Sequence, residues 1–170
     1  MELWDLYTRD RVLTGKTHVR GMPLPKDLYH LVVQVWIRNK KGEYVISQRA
    51  ATRPMFPLKW ECVGGSVTAG EDSYTGALRE VQEEIGIDLT GCTGRVVFTE
   101  VREFIGDIPV NDIVDVWIFD YDGEITLDKA TTSEVIQSKW MSVKEIEELV
   151  RQGELAATID YFSEKVAVYE

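Results

Sequence analysis

The chain has 170 residues, 44% of them hydrophobic and 28% charged, which suits one packed domain and excludes a mostly disordered chain. Nineteen Lys and Arg stand against 29 Asp and Glu, a formal net charge of -10. No broad basic face is expected, so extended nucleic acid and anionic membranes are poor partners.

In chain order, residues 1–20 alternate loosely through Leu3, Leu6, Val12, Leu13 and Val19, and predict one or two short strands around polar turns. Gly21, Pro23 and Pro25 make residues 21–29 a connector. Residues 30–38 (HLVVQVWIR) read as a central strand. After a turn at 39–42, residues 43–49 (EYVISQR) read as the returning strand of a hairpin. Pro54 and Pro57 place 50–59 in a loop, and 60–63 form a short strand running into Gly64-Gly65. From Asp72 to Ile85 the period becomes helical: Tyr74, Ala77, Leu78, Val81 and Ile85 recur at three- and four-residue steps, and Gly86 stops the run. Strands follow at about 95–104 and 113–121, with Gly106, Asp107 and Pro109 in the loop between them. Another strand covers 134–141. Ser142 with Glu145 forms a capping box for a helix at 143–151, and a last helix is predicted over 154–166. No linker or repeat divides the chain, which predicts a single domain over 1–170, and strand-rich and helix-bearing segments alternate without regular βαβ spacing, which predicts a mixed sheet sandwiched by helices.

Cys62 and Cys92 form no C-x-x-C pair, and His18 and His30 match no zinc pattern. No apolar run is long enough to span a bilayer, and MELWDLYTRD lacks a basic-then-apolar layout. A reduced, cytoplasmic protein is the expectation.

Glu80, Glu83 and Glu84 stand at i, i+3 and i+4, so three carboxylates share one helical face. Like charges crowd unfavourably in water, and a divalent cation reverses the sign. An all-oxygen donor set suits hard Mg²⁺ or Mn²⁺. Alone, such a cluster is most often a solvated acidic face. Its surroundings point elsewhere. Gly64-Gly65 allows backbone groups to approach a phosphate or metal. Glu71 sits at the helix entry, in reach of Arg79.

Gly65, five residues, Glu71, seven residues and then the run Arg79-Glu80-Val81-Gln82-Glu83-Glu84-Ile85-Gly86-Ile87 resemble a complete Nudix box over 65–87. Seven fixed identities give a chance match of about 10⁻⁸ per start position. Residues 29–50, the loop before Trp60 and the run WECVGGSV resemble the branch that includes isopentenyl diphosphate isomerase. The resemblance implies an α/β/α sandwich around a mixed sheet. It also implies an enzyme, using Mg²⁺ or Mn²⁺, that cleaves the diphosphate linkage of a nucleoside diphosphate derivative or other organic diphosphate. By position, Glu80 and Glu84 become the main metal ligands and Glu83 assists. A carbonyl of Gly64 or Gly65 completes the shell, and Arg79 with Glu71 orients the carboxylates. The general base is Glu80 or a later acid: Glu103, Asp112 or Asp115. Arg49 and Lys59, with Arg53 beside them, are candidate phosphate contacts, and His30 and Asp112 candidate substrate contacts.

Isomerase activity is a weaker expectation. The position of that enzyme's catalytic Cys is Gly64 here, and Pro23 and Ser66 replace two of its His ligands. A noncatalytic nucleotide-sensing module is the other alternative. The exposed N-terminal strands leave room for a homodimer.

Overall fold

The structure is a computed structural model and describes residues 1–169. Nine strands and two α-helices follow in chain order: β1 (Leu3–Tyr7), β2 (Leu13–Val19), β3 (His30–Arg38), β4 (Tyr44–Arg49), β5 (Trp60–Glu61), β6 (Val63–Ser66), α1 (Ser73–Ile85), β7 (Gly94–Ile105), β8 (Ile108–Asp120), β9 (Val135–Met141) and α2 (Val143–Arg151). β1 and β2 pair as a separate antiparallel hairpin. The other seven strands form a mixed sheet in the order β5-β4-β3-β8-β7, with β6 added beside β3 and β9 beside β4. β3 runs parallel to β8 over nine residue pairs, His30↔Asp112 through Arg38↔Asp120.

Strand alternation separates the two core layers. Leu31, Val33, Val35 and Ile37 of β3 meet Ala77, Val81 and Ile85 of α1. Trp36 of β3, with Val114, Val116 and Ile118 of β8, faces Ile146 of α2 and Ile159 and Phe162 of the C-terminal segment. Both faces of the central strands are covered, which is why they read as nearly continuous apolar runs. The result is an α/β/α sandwich around a mixed sheet. No helix among the described residues is long and apolar enough to cross a membrane.

Three sequence expectations change. First, β3 and β4 pair only at Arg38↔Tyr44 and then diverge. β6 fills the gap beside β3, so the strand that begins near Trp60 resumes at Val63 and carries Gly64 and Gly65 within it. Second, the loop between β7 and β8 shrinks to Gly106-Asp107, because Phe104↔Pro109 and Ile105↔Ile108 continue the ladder. Third, the helix expected over 154–166 is absent. A short 3₁₀ turn (Ala157–Ile159) and a π turn (Phe162–Val166) stand in its place. The main chain there is tied to the sheet: Trp60 N–H donates to Glu154 O at 2.9 Å and Ala156 N–H to Trp60 O at 2.8 Å. The first of those bonds occupies the Glu154 carbonyl, the acceptor that the opening turn of a helix would use.

Candidate active site

α1 sets the acidic cluster. Asp72 caps it by accepting from Thr75 N–H at 2.7 Å, and Gly86 ends it in the left-handed region at φ 71°. Gly65 of β6 lies beneath Glu80: a Cβ there would sit 2.4 Å from the Glu80 carboxyl carbon. The glycine is therefore the space into which the carboxylate packs.

The three glutamates are not equivalent. Glu84 is 5% exposed and lies on the buried side of the helix, with Val81 and Ile85. Burial pushes its pKa well above the usual carboxylate range, and the charges of Glu80, Glu61 and Glu134 add to the rise, partly offset by Arg53. Glu80 is raised too, by burial, against hydrogen bonding from Arg79. Glu83 is the most open. Arg79 organises the group. Its guanidinium donates to Glu71 at 2.9 and 3.0 Å, to Glu80 at 2.8 Å, to Glu83 at 3.3 Å and to the Ser66 carbonyl at 3.0 Å. Those bonds outweigh the burial of Glu71 and hold its carboxyl below the usual range.

Two cavities flank β6. The smaller, about 200 Å³, is lined by Arg53, Arg79, Glu80, Glu83, Glu84 and Glu134, among others. The larger, about 690 Å³, holds Trp4, His30, Gln34, Arg49, Arg102 and Asp112 in its wall. Gly64, Gly65, Ser66 and Arg20 line both. The acids thus lie across one glycine-bearing strand from a cavity large enough for a small organic molecule.

The chemistry of the donor set fits a hard divalent cation: carboxylates, strand carbonyls and no competing thiolate or imidazole. Among the described residues no three acidic, His or Cys side chains converge closely enough to hold an ion in this arrangement. Arg79 bonds both Glu80 and Glu83.

Other candidates fall in different places. Arg49 lines the larger cavity but is engaged by Glu61 and the Met55 carbonyl. His30 lines it as well, stacked on Trp4 with ring centroids 4.0 Å apart, and its buried Nδ1 has no hydrogen-bond partner. Burial lowers its pKa to about 4, so the ring is neutral at pH 7. Asp112 is held by Arg102 through two 2.8 Å bonds.

Three positions are corrected. Lys59 lines neither cavity; it donates to the Gly153 carbonyl at 2.7 Å and lies 3.5 Å from Glu154, drawn to the end of α2 rather than toward a phosphate site. Glu103 sits outside both cavities with Arg9 and Tyr29. Asp115 is buried on the α1 side of β8, bonded by both Arg11 nitrogens at 2.6 Å and by Thr99 at 2.7 Å. Neither acid is placed to serve as base. Cys62 is buried, and burial with the nearby Glu61 and Glu84 charges raises its thiol pKa well above normal, which makes it a poor nucleophile or acid-base group.

Sequence reading missed Glu61, Glu134, Arg20 and Arg102. Each reaches the site through strand pairing or a chain reversal distant in sequence. The one local signal was Glu61, a charge enclosed by Trp60, Cys62 and Val63.

A family model described as NUDIX domain matches residues 28–162. An uncharacterised Nudix hydrolase of Listeria monocytogenes is 36% identical over 168 residues, covering 95% of this chain and 90% of the relative. A shorter match, 31% identical over 80 residues, covers 46% of this chain and 44% of an isopentenyl-diphosphate delta-isomerase of Shigella flexneri. A solved protein of Deinococcus radiodurans shares the fold, with a TM-score of 0.72, 20% identity and coverage of 91% of this chain and 92% of that one.

Proposed function

The chain belongs to the NUDIX domain family and is a Nudix pyrophosphohydrolase; from that premise we propose that it cleaves the diphosphate linkage of a nucleoside diphosphate derivative or other organic diphosphate, with Mg²⁺ or Mn²⁺ as cofactor. The observation that supports this most is the shared wall of Gly64, Gly65 and Ser66. It lets a diphosphate lie against the acids while its organic group occupies the larger cavity.

Glu80 and Glu84 would hold the ion, with Glu83 and a carbonyl of Gly64 or Gly65 as further donors. When bound, the ion supplies charge to the phosphoryl oxygens and lowers the pKa of a bound water. The protein's own part is positioning. Arg79 is fixed by Glu71 and the Ser66 carbonyl, and so holds α1 and β6 in register. Gly65 gives Glu80 its place against the strand. Of the four acids considered as general base, Glu80 is the one lining the acidic cavity. His30 and Asp112 lie in the wall that would face the organic group.

The test is a panel of nucleoside diphosphate derivatives and simple organic diphosphates, with Mg²⁺, Mn²⁺ or chelator, read by phosphate release through a coupled phosphatase. Release that depends on the ion is expected. Ion-independent release would overturn the metal assignment. Binding without turnover would favour a sensing module, and isomer formation without phosphate release would favour the isomerase.

A further inference from the structure

The larger and smaller cavities meet at β6, and a diphosphate bridging them needs positive charge at that junction. Six basic side chains line one cavity or the other: Arg20, His30, Arg49, Arg53, Arg79 and Arg102 are the arginines and histidine in their walls, joined by no lysine. Of these, among the described residues, Arg20 alone lines both.

The other arginines are each committed to a carboxylate and are themselves more enclosed than Arg20, with side-chain exposures between 12% and 24%. Arg49 is paired with Glu61, Arg53 with Glu134 at 2.7 Å, Arg79 with Glu71, Glu80 and Glu83, and Arg102 with Asp112. Arg20 has one ionic contact, Nη1 to Glu2 Oε2 at 2.9 Å, and both side chains are substantially open, at 51% and 33% exposure. A single-contact surface pair of this kind contributes little and exchanges readily. The guanidinium keeps donors for a second acceptor, and its planar fork matches phosphate oxygens.

Its backbone is fixed all the same. Arg20 N–H donates to the Glu2 carbonyl at 3.0 Å, extending the β1–β2 ladder by one step, and Gly21 then reverses the chain at φ 90°. The hairpin itself is pinned to the body: Ala69 N–H donates to Leu3 O at 2.8 Å, Gly70 N–H to Asp5 Oδ2 at 2.8 Å, and Trp4 stacks on His30. Arg20 also lies outside residues 28–162, the span the family model matches.

We propose that Arg20 binds the diphosphate where the two cavities join, so that the N-terminal hairpin completes the substrate site. This rests on the pyrophosphohydrolase reading, and its test separates the two. Titration calorimetry with Mg²⁺ and methylenediphosphonate, whose bridge resists hydrolysis, is run on the full chain and on Arg20→Gln, Arg20→Lys and Glu2→Gln. Arg20→Gln is expected to weaken binding roughly tenfold or more, with Arg20→Lys intermediate. Glu2→Gln breaks the same ion pair but leaves the guanidinium, and is expected not to weaken binding. Equal loss in Glu2→Gln and Arg20→Gln would make the pair merely structural and overturn the proposal. So would binding by Arg20→Gln within twofold of wild type, or no binding by wild type at millimolar probe. The panel assay runs beside it. Arg20-dependent binding with no hydrolysis of any substrate would overturn the activity reading and leave Arg20 standing; hydrolysis with a KM indifferent to Arg20 would do the reverse.

Discussion

Glu84 combines its proposed role at the site with a cost to the fold. It is 5% exposed and surrounded by Glu80, Glu61 and Glu134. Glu84→Gln keeps the shape and removes the charge. Turnover should fall about a hundredfold or more, close to 3 kcal/mol of barrier, while the melting temperature without added ion rises. Steady-state kinetics and thermal unfolding check both halves, and near-normal turnover would refute the assignment of Glu84. His30 gives a pH prediction. Unfolded, it titrates near 6.5; folded, burial holds it at about 4. Only the unfolded chain takes up the proton as pH falls from 6.5 to 4, so His30 lowers stability across that window, by up to about 3 kcal/mol. Denaturant melts of His30→Gln should lose that part of the acid slope. The glutamate trio was legible because helical spacing is local. The sequence held no comparable cue for Glu134 and Arg53, which come together only when Ala50 N–H pairs with the Glu134 carbonyl.

At the scale of elements, the contact between α1 and β6 matters most. Gly65 and Glu80 share one volume. Gly65→Ala should push the carboxylate away and cut turnover at least tenfold, about 1.4 kcal/mol, with the circular dichroism spectrum retained. Full activity in that variant would show that Glu80 can work from another position. The extent of α1 was legible from Asp72 to Gly86 because cap, apolar period and stop signal agree. Residues 154–166 were misread for the opposite reason. Their apolar spacing tolerates a helix, but bonds to Trp60 claim the backbone first. The divergence of β3 from β4 was equally hidden, since a turn at 39–42 predicts closure of a hairpin and not how far the strands stay paired.

Across the whole molecule, the β1–β2 hairpin depends on a few strong ties. Arg11 meets Asp115, which is 2% exposed, through two 2.6 Å bonds, and the burial of Asp115 is outweighed by those bonds and by Thr99 and Ser73, leaving its pKa low. Arg11→Gln strands that charge. A loss of about 2–3 kcal/mol is expected, with faster hydrogen exchange in residues 1–20 than in the sheet. Uniform exchange behaviour in wild type and variant would mean that the hairpin is held by its other contacts. The order of strand-like and helical segments, alternating without regular βαβ spacing, forecast a sandwich of helices on a mixed sheet. It did not forecast where the N-terminal strands dock, since two half-exposed ribbons carry little pattern.

Arg79 has a final consequence. By bonding Glu80 and Glu83 it acts as a resident counter-ion for the acids. Helix assembly is thereby freed from any requirement for an external charge, unlike small domains that collapse when chelated. The helix and the strand that carry the site are thus tied together by groups of the chain itself.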